Sequence, residues 1–287
     1  MEAMILITGA TGTIGSELVR QLAARGEKTR ALTRDPAKAQ TPTGVEVARG
    51  DYLDPGSLEA AMTGVTAAFL LGAPGPDSGH DQALVAAATA AGVPRLVKLS
   101  AIGTGNPDVG PSGEWHVPGE AAVRDSGTEW TILRPSSFAS NTLSWTAAIG
   151  QGDPVPNMTG DGLSGVIDPR DVSEVAARIL TDGGHGGRTY TLTGPEPISV
   201  HDQAAALASA LGRPVTTRDL TPEETREHLL TVWGFNEAQA AGVLAGTAFV
   251  RGGGNAVVTD DVREVLGRRP RTYGEWVEDH RREFGAE

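Results

Sequence analysis

Three glycines near the N-terminus, Gly9, Gly12 and Gly15, are spaced three residues apart in the segment GATGTIG. They follow an apolar run at residues 4–8 and open a segment whose apolar residues recur at helical spacing. In such a turn the first glycine permits the bend, the second lets the backbone approach a ligand, and the third allows close helix–strand packing. Free N–H groups at a helix start bind phosphates, so the segment predicts the pyrophosphate-binding turn of a dinucleotide site. The alternative is a turn that binds no ligand. The other residues assigned to this turn are Thr11, Thr13 and Ile14.

The end of the second apolar run indicates which dinucleotide is bound. An NAD-binding protein usually has Asp or Glu there, which binds the ribose 2′-hydroxyl. Here Thr33 is followed by Arg34, and Lys38 lies one helical turn further on. Cationic side chains suit a 2′-phosphate, so the sequence favours NADPH. The alternative is that Arg34 is solvated and paired with Asp35.

The first 140 residues alternate short apolar runs with longer amphipathic segments. Strands are expected at residues 4–8, 28–33, 45–48, 67–71, 96–100 and 130–133. Helices are expected at residues 15–25, 55–62, 81–91 and 120–125. Strands that alternate with helices form a parallel sheet covered on both faces. The expected fold class is therefore α/β, with a Rossmann-type doubly wound parallel sheet.

The pattern changes after about residue 140. Residues 150–165 are rich in Gly, Pro and Asp, which favours a loop. A helix at residues 171–180, with Asp171 as its N-cap candidate, and a strand at residues 189–192 follow. Further helices are expected at residues 200–211, 222–233 and 237–247, and after Thr272. We therefore divide the chain into a dinucleotide-binding domain at residues 1–150, to which residues 166–194 return, and a small substrate lobe. The lobe comprises residues 195–287, is mainly helical and caps the C-terminal edge of the sheet.

Charge and composition exclude several classes of function. The 36 acidic and 24 basic residues give a formal net charge of −12, which argues against nucleic acid as a partner because phosphate backbones bind clustered Lys and Arg. The chain has no Cys, which excludes disulfides and thiolate sites, and its His residues other than His116 show no ligand spacing. We therefore expect no metal. No apolar stretch approaches the roughly 20 residues that span a bilayer, so we expect a cytoplasmic protein with no membrane partner.

Several motifs together resemble the NmrA-like atypical short-chain dehydrogenases/reductases, and the resemblance extends over essentially the whole chain. They include SGTEWTILRP at residues 126–135 and YTLTGPE at residues 190–196. The remaining motifs are residues 8–15, 30–35, 50–54, 168–172, 211–214 and 267–276. That family includes NADPH-dependent quinone reductases, isoflavone-type reductases and redox-sensing regulators that bind NAD(P) without turnover.

The resemblance implies further positions around the cofactor. Asp51 and Leu53 follow the third strand, where this superfamily cups the adenine, although Asp51 could equally cap a helix. Gly72 and Ala73 follow the fourth strand and would pass near the ribose and nicotinamide. Pro135 begins the segment that, in the family, runs past the nicotinamide into the substrate cleft.

The resemblance also implies a catalytic Ser and a Tyr-x-x-x-Lys motif, in which Lys lowers the pKa of Tyr for proton transfer. Ser100, at the end of the fifth strand, stands at the Ser position and is also assigned to the cofactor site. Where Tyr and Lys are expected, the sequence has His116 and Glu120. In one interpretation His116 is the proton donor, and Glu120 (or Glu114) raises its pKa and orients it. In the other, the site has lost proton transfer, and a quinone is reduced by hydride alone or the protein only senses the cofactor.

Four aromatic residues and one carboxamide are candidates for the substrate cleft. Trp115, Phe138, Trp145 and Trp233 could wall a flat aromatic pocket, with a place in the lobe core as the alternative for each Trp. Asn141 matches a position where quinone-reductase relatives also carry Asn, and it could orient a carbonyl.

Three functional hypotheses follow. The first is an NADPH-dependent oxidoreductase that acts on a quinone or a related planar aromatic carbonyl, as in the tailoring of an aromatic secondary metabolite. The second is a non-catalytic NADP(H) sensor that regulates a partner protein. The third is the same scaffold with other chemistry, such as oxygenation or coupling of an aromatic substrate. An epimerase or dehydratase is disfavoured, because those chemistries depend on the missing Tyr and Lys. The sequence leaves the oligomeric state open, with a homodimer as one option.

Overall fold

A seven-stranded parallel sheet is the centre of the computed structural model, which describes residues 3–72 and 79–285. Its strands are β1 (Ile5–Ile7), β2 (Thr29–Thr33), β3 (Glu46–Arg49), β4 (Ala67–Leu70), β5 (Arg95–Leu99), β6 (Glu129–Pro135) and, later in the chain, Arg188–Leu192. In space the first six follow the order β3-β2-β1-β4-β5-β6, and Arg188–Leu192 is the last strand beside β6. The order reverses between β1 and β4, and Rossmann-type proteins bind dinucleotides in the crevice at such a point. The predicted fold class and all seven predicted strands of the sheet are confirmed.

Helices cover both faces of this sheet, as its apolar strands require. One face carries α1 (Thr13–Ala24), and the other carries α2 (Pro55–Met62), α3 (His80–Ala90) and α4 (Val117–Arg124). Alternation along β1 sends Ile5 and Ile7 towards the side of α1 and Leu6 towards the side of α2 and α3.

The second half of the chain adds a smaller lobe and returns to the sheet. Here α5 (Thr146–Gln151), β7 (Val155–Asn157), α6 (Pro169–Thr181) and β8 (Arg188–Leu192) come first. They are followed by α7 (Val200–Leu211), β9 (Thr217–Asp219), α8 (Pro222–Thr231), α9 (Glu237–Arg251), α10 (Asp261–Leu266) and α11 (Tyr273–His280). Helix α6 packs beside α1 on the sheet, whereas α7 and α11 enclose a lobe core around Trp276.

Three local expectations need correction. Residues 150–165 are not wholly loop, because β7 lies within them and pairs in parallel with the distant β9. The N-cap of α6 is Asp168 and not Asp171; Asp168 accepts from the Arg170 N–H, and Pro169 begins the helix. Helix α10 belongs with the sheet domain and not with the lobe, since it packs against α6 and β8.

Within the described residues, every helix is too short or too polar to cross a membrane.

Candidate functional site

The glycine turn has the geometry of an anion cradle. Gly9 adopts a left-handed φ of +61°, and a Cβ on Gly15 would lie 2.1 Å from the Gly9 carbonyl oxygen, so neither position tolerates a side chain. Gly12 is the N-cap of α1, which has no side-chain cap and no acidic residue in its first turn. The first N–H groups of α1, including those of Thr13 and Ile14, are therefore available to a phosphate. The turn fits the pyrophosphate of a dinucleotide, and Thr11 lies exposed within it.

The cationic residues after β2 are also placed for a phosphate. Asp35 Oδ2 lies 3.0 Å from Lys38 Nζ, and in the described residues no ion pair joins Asp35 to Arg34, so the alternative pairing of Arg34 with Asp35 is wrong. Arg34 is exposed, and within residues 3–72 and 79–285 its guanidinium forms no ion pair or hydrogen bond. A free guanidinium at the end of β2 stands where an acidic residue would bind a ribose 2′-hydroxyl.

The turn after β3 places Asp51 and Leu53 at the same edge of the sheet. Asp51 Oδ1 accepts from the Leu53 N–H at 3.0 Å, whereas the cap of α2 is Asp54, which accepts from the Ser57 N–H at 3.3 Å. The Leu53 side chain is 85% exposed. An exposed apolar side chain could pack against the adenine ring of the cofactor. The assignment of Asp51 and Leu53 to the adenine site stays a prediction.

The end of β4 is held by several hydrogen bonds. The Thr8 hydroxyl accepts from the Leu71 N–H at 2.7 Å, and the Tyr52 hydroxyl donates to the Leu71 carbonyl at 3.0 Å. The Gly72 N–H donates to Asp81 Oδ1 at 2.9 Å. These contacts fix the chain immediately before Ala73, a predicted cofactor residue that lies outside the described residues. On the other side of the site, the Pro135 carbonyl accepts from the Ile102 N–H at 2.9 Å.

Asp81 also belongs to a buried ion pair that the sequence analysis missed. Its Oδ2 lies 2.9 Å from Lys98 Nζ, and the side chains are 4% and 0% exposed. Burial alone would raise the pKa of the Asp81 carboxyl, but His116, Lys98 and the Gly72 N–H together lower it. Burial lowers the pKa of Lys98, and Asp81 partly offsets this effect. Gly119 makes room for the carboxylate, since a Cβ there would lie 2.4 Å from Asp81 Oδ2.

His116 faces this ion pair and not Glu120. It is the N-cap of α4 and is 8% exposed. Its Nδ1 lies 3.9 Å from Asp81 Oδ2, too far for a hydrogen bond, and has no hydrogen-bond partner in the described part of the chain. The expectation that Glu120 orients His116 is therefore wrong.

Glu120 instead joins a second buried network with Ser100. The Ser100 hydroxyl donates to Glu120 Oε1 at 2.6 Å. The Arg134 guanidinium donates to both carboxylate oxygens at 2.8 and 2.7 Å, and Arg124 donates to Oε2 at 2.7 Å. Burial would raise the pKa of the Glu120 carboxyl, but Arg134, Ser100 and Arg124 lower it overall. In this arrangement the Ser100 hydroxyl donates to a carboxylate, and its catalytic role stays a prediction.

A cavity of about 370 Å³ extends from the ends of β5 and β6 into the lobe. Phe138, Trp145, Trp233 and Asn141 line it, and their assignment to a substrate cleft stays a prediction. Trp145 also packs in the lobe core. The cavity's lining further includes Ile102, Phe249, Ser164, Gln203 and Asn255.

Trp115 lies outside this cavity, contrary to expectation. Its indole packs on α9, where a Cβ on Gly242 would lie 2.5 Å from Trp115 Cζ2. Ser100, His116 and Glu120 are also absent from the cavity lining. Of the four predicted catalytic residues, Ser100 and Glu120 form one buried network and His116 lies beside the buried Asp81–Lys98 pair. Asn141 is the one of the four that lines the cavity.

One signal in the sequence could have revealed the missed ion pair. Lys98 stands between apolar residues in RLVKLS, on a strand expected to be buried on both faces. A Lys at such a position is almost never buried without a partner. A search for an acid on a neighbouring helix would have included Asp81, at the start of α3.

The fold and the glycine turn define a dinucleotide-binding protein of the Rossmann class. Residues 9–183 match the family described as NAD(P)H-binding, and the chain belongs to that family, in its NmrA-like atypical short-chain dehydrogenase/reductase branch. The family match and a similar solved structure that contains NADPH confirm the prediction of NADPH as the cofactor.

Two curated relatives match almost the whole chain. The (4-alkanoyl-5-oxo-2,5-dihydrofuran-3-yl)methyl phosphate reductase of Streptomyces griseus subsp. griseus is 40% identical, over 99% of this chain and 100% of that protein. The NAD(P)H azoreductase of Xenophilus azovorans is 37% identical, over 99% of this chain and 100% of that protein. Among solved structures, the NADPH-dependent quinone oxidoreductase 2 of Escherichia coli, complexed with NADPH, superposes with a TM-score of 0.83. It is 28% identical and covers 96% of this chain and 99% of that chain. The chain is an NAD(P)H-dependent oxidoreductase.

Proposed function

We propose that this protein is an NADPH-dependent reductase of a quinone or a related planar aromatic carbonyl compound. The observation that carries the proposal is the position of the cavity. The glycine turn follows β1, and the cavity begins after β5 and β6, so both lie at the carboxyl edge of one parallel sheet. In this class of fold the ligands bind at that edge.

The cofactor end of the site is assigned to the glycine turn and to the cations after β2. Gly9, Gly12 and Gly15 leave space for a pyrophosphate at the start of α1. Arg34, whose guanidinium forms no ion pair or hydrogen bond in the described residues, is assigned to the 2′-phosphate, with Lys38 beside it. This assignment favours NADPH over NADH. When bound, the nicotinamide supplies a hydride.

The substrate end is assigned to the aromatic walls of the cavity. Phe138, Trp145 and Trp233 provide flat apolar surfaces for a planar ring. The Asn141 carboxamide is exposed, makes no side-chain hydrogen bond within the described residues and lines the cavity. Its N–H groups are assigned to the carbonyl oxygen that becomes an anion on reduction.

The protein's own groups supply no obvious proton to that oxygen. The Ser100 hydroxyl is engaged by Glu120, and none of the described lining residues of the cavity is Asp, Glu, His or Lys. A quinone suits such a site, because hydride addition gives a phenolate-type anion that is stable in water and takes its proton from solvent. A simple ketone would give an alkoxide, which needs a positioned acid.

The names of the relatives support a reductase, but they do not specify the substrate of this protein. They describe reduction of a furanone phosphate, of azo compounds and of quinones by other proteins. The common feature of these substrates is an electron-poor conjugated system.

Cofactor titration followed by turnover tests the proposal. NADPH and NADH are titrated by fluorescence, and absorbance at the nicotinamide band is then followed with a panel of quinones. We expect tighter binding of NADPH and its consumption by at least one quinone. Tight binding without consumption by any carbonyl compound would support the sensor hypothesis instead. Failure to bind either dinucleotide would contradict the cofactor assignment.

A further inference from the structure

The described lining of the cavity contains no charged side chain. Its residues are apolar, aromatic, hydroxyl or carboxamide in type, with no Asp, Glu, Lys, Arg or His among them. Arg251 directly follows the lining residue Val250, but its guanidinium donates to the carbonyls of Met158 at 3.0 Å and Leu220 at 3.2 Å. An anionic substrate entering this cavity would lose its hydration without gaining a cationic partner, which is strongly unfavourable.

One part of the lining is nevertheless built to form hydrogen bonds. Asn255 is 6% exposed, and its Nδ2 donates to Ser164 Oγ at 3.0 Å. Gln203 is 9% exposed, and its Nε2 donates to the Ser199 carbonyl at 3.2 Å. Among the described residues, no donor reaches the carboxamide oxygens of Asn255 and Gln203. Two acceptor oxygens on nearly buried side chains therefore remain available to a ligand in the cavity.

Close packing holds Asn255 and Ser164 in place. A Cβ on Gly254, the residue before Asn255, would lie 2.3 Å from Phe249 Cε2. A Cβ on Gly162 would lie 2.4 Å from the Val250 carbonyl oxygen. The Ser164 N–H donates to the Ile198 carbonyl at 3.0 Å. The end of α9 and the segment before α6 are thus pressed together, so the polar groups have little freedom to reorient.

We propose that the cavity selects a neutral planar substrate that carries a hydroxyl group, and that it discriminates against the corresponding phosphate ester. The hydroxyl donates to the Asn255 or Gln203 oxygen, while the ring lies against the aromatic walls. This inference rests on the proposed quinone reductase function and narrows its substrate class. It separates this chain from the relative whose name specifies a methyl phosphate, despite 40% identity.

Three ligands that differ in one group test the proposal: 2-(hydroxymethyl)-1,4-naphthoquinone, its methyl ether and its phosphate ester. Their dissociation constants are measured by calorimetry on the full-length protein saturated with NADP⁺, which cannot reduce them. The absence of Cys rules out thiol adducts with the quinones. Loss of one neutral hydrogen bond should weaken the ether about three- to tenfold relative to the alcohol. The phosphate should bind more than about a hundredfold more weakly, because its charge is desolvated without a partner.

Asn255→Ala and Gln151→Ala form a matched pair of variants. In Asn255→Ala, or in Gln203→Ala if Gln203 is the acceptor, the affinity ratio of alcohol to ether should fall towards one. Gln151 is exposed at the end of α5, so its variant should keep the wild-type ratio. Equal affinities of alcohol and ether for the wild type, or a phosphate within about threefold of the alcohol, would overturn the inference, and neither result depends on how a variant folds. Consumption of NADPH by a quinone, measured separately, would show that the proposed function stands even then.

Discussion

Lys98 and Asp81 form an ion pair, 2.9 Å between Nζ and Oδ2, that is closed off from water between β5, α3 and α4. The same carboxylate accepts the Gly72 N–H through Oδ1. Asp81 therefore links the interior of the sheet domain to the chain that leaves β4 towards the expected cofactor site.

Replacing Lys98 by Met should leave the Asp81 carboxylate buried without its partner. Loss of one member of a buried pair typically costs about 3–5 kcal/mol, and we expect a decrease of this size in the free energy of unfolding. Urea unfolding at pH 7 measures it. The exposed Lys38–Asp35 pair provides the control, since Lys38→Ala should cost less than about 1 kcal/mol.

The double variant Lys98→Met/Asp81→Asn separates charge from packing. The carboxamide oxygen introduced by Asp81→Asn can still accept the Gly72 N–H, and no buried charge is left unpaired. Its stability should lie within about 2 kcal/mol of the wild type, above that of Lys98→Met alone. If both variants were equally unstable, the cost would come from lost packing and not from an uncompensated carboxylate.

Gly12 and Gly15 should respond differently to Ala. A Cβ on Gly15 meets the Gly9 carbonyl oxygen at 2.1 Å, whereas one on Gly12 meets it at 3.4 Å. Gly15→Ala should therefore destabilise the fold by about 1–3 kcal/mol. Gly12→Ala should unfold like the wild type but bind NADPH at least about tenfold more weakly, because the added methyl occupies the path of the pyrophosphate. Unfolding curves and NADPH fluorescence titrations measure the two effects. Wild-type affinity in Gly12→Ala would show that the phosphates bind elsewhere.

The sheet domain was predictable because its signals are local. Apolar runs such as the one ending at Thr8, and the glycine spacing that follows, specify a strand, a turn and a helix without help from distant residues. The pairing of β7 with β9 was missed because the Pro and Asp residues around β7 favour a loop. The partner strand lies about 60 residues later in the chain. Tertiary contacts of this kind override local composition.

The expected pairing of His116 with Glu120 was wrong for a related reason. Sequence placed His116 and Glu120 one helical turn apart, and α4 does begin early enough for that spacing. However, Arg134 on β6 binds the Glu120 carboxylate, and His116 faces Asp81 on α3. Which neighbour a polar side chain meets is decided by elements that are distant in the chain. Local spacing cannot supply that information.

Glu120→Gln should lower stability in a pH-dependent way. The carboxyl pKa is below its usual value because Arg134, Ser100 and Arg124 outweigh the effect of burial. A lowered pKa means that the stabilisation is complete above the unfolded-state value of about 4.3 and is lost as pH falls below it. The variant should be about 2 kcal/mol less stable than the wild type at pH 7, and the difference should shrink as the pH falls from about 4.3 towards the lowered pKa of the folded state.

Unfolding free energies at a series of pH values measure this convergence. Glu59→Gln, on the exposed side of α2, should change stability by less than about 0.5 kcal/mol throughout. A difference for Glu120→Gln that stayed constant with pH would contradict the assignment of a charged carboxylate to this network.

Arg34→Glu should shift the cofactor preference towards NADH. The variant replaces a free guanidinium by a carboxylate that repels a 2′-phosphate and can accept from a ribose hydroxyl. We expect the ratio of NADPH to NADH affinity to fall at least about tenfold, which corresponds to one charge-assisted hydrogen bond. Arg25→Glu makes the same charge change after the last turn of α1, away from the glycine turn, and should leave the ratio unchanged. An unaltered ratio in Arg34→Glu would mean that another group binds the 2′-phosphate.

His116→Gln tests whether quinone reduction needs a proton from the protein. His116 lies outside the described cavity lining and its Nδ1 faces Asp81, so we expect kcat within about threefold of the wild type and an unchanged pH profile. A general acid contributes about a hundredfold or more. Asn141→Ala, within the cavity, should by contrast reduce kcat/KM about tenfold, because it removes a donor to the reduced oxygen. If instead His116→Gln lost a hundredfold in kcat together with one limb of the pH profile, His116 would be the proton donor. The Asp81 carboxylate, and not Glu120, would then be the group that orients it.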